Sequence, residues 1–207
     1  MNPLPPPGAT AVDLLRHGEP EGGEMYRGSL DHPLSPLGWQ QMLSAIDTVP
    51  CRWDLILHSP LLRCADFAQN IAKKRAIPCH CEPRFQEMGF GLWEGRTRDE
   101  LLAGDRERLT RFWLDPLHNT PPEGEPLLDV QHRVSQAWEE MLQHYADRAI
   151  LIVAHGGIIR LLMALNLGMP LENLSRVVVP YACLVRFRID RFGPHRIPRL
   201  LAHLPFE

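Results

Sequence analysis

No apolar run in this 207-residue chain approaches the roughly 18 residues that a membrane-spanning helix needs; the longest candidate, 158–167, is broken by Arg160. Charge of one sign is not in excess either. Lys and Arg number 22 against 25 Asp and Glu, a net −3, so there is no general basic field for nucleic acid or an anionic membrane. Any cationic site must be local. Cysteine is scarce, odd in number and without Cys-x-x-Cys spacing (Cys51, Cys64, Cys79, Cys81, Cys183). This argues against a disulfide framework or a metal site and for a reducing compartment. The Pro-rich start, 1–10, has neither the basic nor the apolar region of a signal peptide, and reads as a loose tail. The expectation is a soluble, cytoplasmic protein that needs no metal or cofactor and binds neither nucleic acid nor membrane; its oligomeric state is open, a homodimer included. What is present is 44% hydrophobic content, enough for one full core in a single domain over 1–207.

Three short apolar runs stop abruptly at polar residues. The first, 11–15, ends in Arg16-His17-Gly18-Glu19-Pro20; the second, 53–57, ends in His58-Ser59-Pro60; the third, 149–153, ends in Ala154-His155-Gly156-Gly157. Runs of this length bounded by turn residues read as buried strands, and ligands in open α/β sheets bind beyond such strand ends. Gly18 lacks a Cβ, which would let a ligand approach His17. Ser59 and Pro60 read as a cap and first residue of a helix to about 75, with Arg63 in its first turn. Free N–H groups and a guanidinium there suit an anion, although a surface arginine would look the same. Gly156-Gly157 before a helix over 158–167 is either a plain turn or room for an anion at the helix start.

Between these runs, Ser35-Pro36 opens a helix to about 48 that Pro50 stops, and 77–81 reads as a short strand. Thr97-Arg98-Asp99-Glu100 resembles a capping box, and 105–114 and 127–145 carry helical spacing. Segments 176–180 and 182–190 read as strands joined by a turn, with a last strand near 196–201. The fold class is therefore α/β: three layers, α/β/α, around a mainly parallel sheet with an antiparallel edge strand. In the Gly- and aromatic-rich stretch 85–96, Glu87 or Glu94 could have its acidity tuned by apolar neighbours, as a general acid requires.

Five pieces in order, Leu15-Arg16-His17-Gly18-Glu19, Ser59-Pro60-Leu61-Leu62-Arg63, Glu87 with Phe90-Gly91-Leu92-Trp93-Glu94-Gly95, Pro122-Glu123-Gly124-Glu125 and Ala154-His155-Gly156-Gly157, resemble the histidine phosphatase superfamily, the phosphoglycerate-mutase-like enzymes. The resemblance implies that fold, with His17 phosphorylated on nitrogen, Arg16, Arg63, His155 and the Gly156 amide around the phosphoryl group, and Glu87 as the acid. The chain departs from the family at Pro20, where many members have Thr, and at Gly23, where they have Asn; Arg27 in the same loop is the candidate to replace that contact alongside the Gly23 backbone.

The loop from Glu21 to Ser35 with Gly38-Trp39-Gln40-Gln41-Met42 looks like the α-ribazole phosphatase branch. That implies a small phosphate ester as partner, α-ribazole 5′-phosphate or cobalamin 5′-phosphate, in cobalamin biosynthesis. Residues 88–130 read as a lid insertion whose Trp93, Phe112 and Trp113 would stack on a benzimidazole-like base or anchor short helices. A sugar-phosphate phosphatase, a phosphoglycerate mutase and a phospholigand-binding module without turnover are the alternatives.

Overall fold

The computed structural model describes residues 8–49 and 52–205. Pro50, Cys51 and most of the Pro-rich start lie outside them. Six strands, β1 (Ala9–Arg16), β2 (Leu55–His58), β3 (Cys79–Cys81), β4 (Ala149–Ala154), β5 (Leu184–Phe192) and β6 (His195–Leu204), form one sheet in the order β3-β2-β4-β1-β5-β6. The first four in that order run parallel. β5 and β6 are antiparallel, so the edge contains two strands rather than one.

Side chains alternate across the sheet with period two. Val12, Leu14, Ile150 and Ile152 face α5 (Leu127–His144) and α6 (Gly156–Leu167). Leu15, Leu151 and Val153 face α1 (Pro36–Asp47) and α2 (Leu62–Arg75). Each strand of the centre is thus buried on both faces, and its polar residues are confined to its ends. Asp13 is the exception within β1, and it is buried in a bidentate pair with Arg186 at 2.7 Å.

Several boundaries differ from the sequence reading. Ala9 and Thr10 belong to β1, where they pair with Asp190 and Ile189 of β5. Segment 176–180 is not a strand: a 3₁₀ turn runs over Leu171–Arg176. The carbonyls of Val177 and Val179 accept from Arg160 and Arg16 instead of from a neighbouring strand. α2 begins at Leu62, not Pro60. Its first N–H is taken by the Asp31 carboxylate at 2.6 Å, so the start of α2 is already capped from another loop. Gly18 serves packing rather than ligand approach, because a Cβ there would lie 2.1 Å from the Gly38 carbonyl oxygen of α1.

The segment between β3 and α5 folds as α3 (Arg98–Gly104) and α4 (Arg106–Leu114) around a small core of Trp93, Leu101 and Leu109. Thr97 and Glu100 close the capping box on both sides. Trp93 is buried and its indole donates to Asp105. It anchors this unit and offers no stacking face, unlike Phe112 and Trp113.

Candidate active site

β1 and β4 lie side by side in parallel register, so their C-terminal ends deliver Arg16-His17 and His155 to one place. The imidazole centroids of His17 and His155 are 5.2 Å apart. His17 is buried, and its Nδ1 lies 2.8 Å from the Gly18 carbonyl oxygen. A carbonyl accepts only, so Nδ1 carries the proton and Nε2 the lone pair. Burial, then Arg16 and Arg63, push the His17 imidazole well below its ordinary range, the Gly18 carbonyl opposing. His155 is lowered likewise by burial, Arg63 and His17.

Arg63 comes from the first turn of α2 and is fully buried. Its two terminal nitrogens donate to the carbonyls of Leu30 (2.6 Å) and Gly28 (3.0 Å). Arg16 donates to Val179 at 2.7 Å, and its guanidinium lies 4.3 Å over the Tyr181 ring. The Nε atoms of both arginines are buried without a hydrogen-bond partner among the described residues. Buried donors are normally satisfied, so two unsatisfied N–H groups flanking a neutral histidine mark a place for an acceptor-rich anion.

Glu87 sits opposite. Its carboxylate accepts from the Gly157 amide at the start of α6 (3.0 Å) and from the Met88 amide (3.0 Å). Gly157 is required for this approach, since a Cβ there would be 2.5 Å from Glu87 Oε1. The glycine pair thus gives an acid its seat, and Gly156 faces Arg16 Nε. Arg133 fixes the stretch before Glu87 by donating to the carbonyls of Arg84 and Gln86 while paired bidentately with Glu125. That explains the Pro-Glu-Gly-Glu piece: Glu125 orients the arginine that holds the acid's loop.

Glu94 has a different task. It accepts from Ser29 N and Oγ, Leu30 N and Phe90 N, tying the loop whose carbonyls hold Arg63 to the α3–α4 unit. Arg27 is buried against the cavity wall, but Nη2 donates to the carbonyls of Glu21 and Gly23, both at 2.6 Å. Gly23 is exposed, lies outside the cavity wall and takes a positive φ of 75°; its carbonyl serves Arg27. Ser59 does not cap α2. Its Oγ lies 2.7 Å from His155 Nε2 and so holds the orientation of that ring.

A cavity of about 760 Å³ is lined by Arg16, His17, Arg63, Glu87, Gly156 and Gly157, while His155 is fully buried against His17 and is not among the lining residues. Its wall combines the guanidiniums of Arg16, Arg27, Arg63 and Arg98 with the apolar side chains of Tyr26, Phe90, Phe112, Trp113, Leu127 and Val130. Tyr181 and Arg160 also line it and were not singled out from the sequence. Tyr181 stands in a turn with no motif around it. Arg160 could have been found by helix geometry, being one turn beyond Gly156 on the same face.

Residues 12–197 match the family described as the histidine phosphatase superfamily (branch 1). The chain is 34% identical over 179 residues to a bifunctional protein of Mycobacterium tuberculosis, covering 84% of this chain but 49% of that protein, so it spans about half the length of that relative. It is 31% identical over 175 residues to an adenosylcobalamin/alpha-ribazole phosphatase of Escherichia coli, covering 82% and 85% of the two chains. Its backbone superposes on a mycobacterial glucosyl-3-phosphoglycerate phosphatase with a TM-score of 0.84 at 25% identity, over 95% of this chain and 99% of that one.

Proposed function

The chain belongs to the histidine phosphatase superfamily, and from that premise we propose that it hydrolyses a small phosphate monoester through a phosphohistidine at His17. The observation that carries the reading is the His17 ring: Nδ1 is held by the Gly18 carbonyl, and the unprotonated Nε2 stands among guanidiniums. Nε2 attacks phosphorus, the phosphorus–ester oxygen bond breaks, and the protonated Glu87 carboxyl gives its proton to the leaving alkoxide. The Glu87 carboxylate then takes a proton from the water that attacks phosphohistidine, restoring both groups. A phosphate monoester carries about two negative charges; Arg16, Arg63 and His155 spread that charge over the equatorial oxygens. The free Nε donors of both arginines support this assignment.

For the alcohol half, the reading is α-ribazole 5′-phosphate or the corresponding cobalamin phosphate. It is supported by the aromatic and aliphatic residues of the cavity wall, which suit a flat apolar base, and by similarity to the Escherichia coli phosphatase. A glucosyl-3-phosphoglycerate type of ester is the second reading, favoured by two further cavity cations, Arg98 and Arg160. The test is phosphate release in EDTA from α-ribazole 5′-phosphate, glucosyl-3-phosphoglycerate, phosphoglycerates and sugar phosphates. A preference for the ribazole ester, with kcat reduced on the order of a thousandfold or more in His17→Ala, is the expected result. Full turnover in that variant would end the phosphohistidine reading, and a preference for another ester would end only the substrate assignment.

A further inference from the structure

Arg160, like Arg98, is a guanidinium of the cavity wall that the phosphoryl chemistry leaves without a task, and it is the one set beside Gly156 and Arg16. It leaves α6 one turn after Gly156, and Nη1 lies 3.6 Å from the point where a Gly156 Cβ would stand; Arg16 Nε lies 3.3 Å from the same point. Its single hydrogen bond among the described residues runs from Nε to the Val177 carbonyl at 2.8 Å. That bond fixes the plane of the group and leaves both terminal nitrogens to the cavity they line. Holding one carbonyl needs one neutral donor, whereas a half-buried guanidinium beside a second one costs desolvation and repulsion. Burial lowers Arg160, and Glu87 is the largest opposing influence.

Its position separates it from Arg63. Glu87 binds the amide of Gly157, the neighbour of Gly156, so Arg160 stands on the acid's side of His17, where the alcohol departs. Tyr26, part of the aromatic wall, is next in its electrostatic surroundings.

Resting on the phosphatase reading above, we propose that Arg160 reads the alcohol half of the ester, donating from its terminal nitrogens to an oxygen three or four bonds from the ester oxygen. The enzyme then selects esters of oxygen-rich alcohols over plain alkyl esters. The acceptor is a sugar hydroxyl or ring oxygen, or a carboxylate; both offer lone pairs to a two-pronged donor.

The experiment compares kcat/KM for ribose 5-phosphate, 3-phosphoglycerate and propyl phosphate in wild type, Arg160→Met and Arg160→Lys. The expected result is that Arg160→Met lowers the ratio of an oxygen-rich ester to propyl phosphate at least tenfold, with Arg160→Lys restoring part of it. A fall confined to ribose 5-phosphate identifies the neutral acceptor, and one confined to 3-phosphoglycerate the carboxylate. Equal loss on all three esters would overturn the proposal, since a structural or phosphoryl-binding role weakens them alike. The same ratios taken as affinities by calorimetry, in a His17→Ala background, need no turnover. If wild type hydrolyses neither these esters nor α-ribazole 5′-phosphate, the phosphatase reading fails, and the calorimetric ratios still decide on Arg160.

Discussion

His17 and His155 are neutral bases enclosed by positive charge, and that has a cost outside catalysis. Below about pH 6.5, the ordinary value, the unfolded chain takes up protons that the folded one resists, because both rings are held well below it. Their contribution to stability is therefore complete above pH 6.5 and is lost as pH falls below it. The slope is at most about 1.4 kcal/mol per pH unit for each ring. Urea unfolding at pH 7.5, 6.0 and 5.0 should show that decline, and His17→Asn should make it shallower. An unchanged slope in the variant would mean that His17 titrates normally. At this scale the sequence was a good guide for groups at strand ends and a poor one for acids in loops. Glu87 and Glu94 share the same Gly-rich, aromatic surroundings. Only the 3₁₀ turn Gly91–Trp93 between them turns one toward the Gly157 amide and the other toward Ser29 and Leu30.

Among the elements, the loop joining β1 to α1 and the α3–α4 unit are separate in sequence but meet at Glu94. Four donors converge on this carboxylate, three of them from Ser29 and Leu30. Arg63 in turn rests on the carbonyls of Gly28 and Leu30. Glu94→Ala should therefore cost about 2 kcal/mol in urea unfolding. It should also lower kcat/KM about tenfold through a displaced Arg63, with Glu94→Gln in between. Normal kinetics in the alanine variant would show that Arg63 holds its place unaided. Helices and their caps followed from spacing and cap residues, as at Ser35 and Thr97. The stretch 176–180 did not, because its Val-rich run matches a strand by composition. What decides its course is the demand of two arginines for its carbonyls, a contact more than a hundred residues away in the case of Arg16.

For the molecule as a whole, the parallel centre and the antiparallel edge are joined at β1, where Asp13 and Arg186 face each other across the strands in direct register. Trp53 donates to the same carboxylate at 2.8 Å. Asp13→Asn should cost about 2 kcal/mol, since Arg186 and the Trp53 indole lose a buried, charged acceptor. The double variant Asp13→Leu with Arg186→Leu should recover much of that loss in the same assay. The strand-end motifs disclosed the architecture because parallel strands bring their C-terminal ends to one edge by topology alone. Which residues of α4 and of the turn before β5 join the cavity wall at that edge is encoded by no local pattern.

Gly18 and Gly38 close a backbone-to-backbone contact next to His17: a Cβ on the first would strike the second's carbonyl, and a Cβ on the second would lie 2.1 Å from the Glu19 carbonyl oxygen. Neither position can drift in evolution by compensation from its partner, because both already have the smallest side chain. The segment bearing His17 is thereby frozen at two positions that do not line the cavity, and variation is left to the residues of the cavity wall.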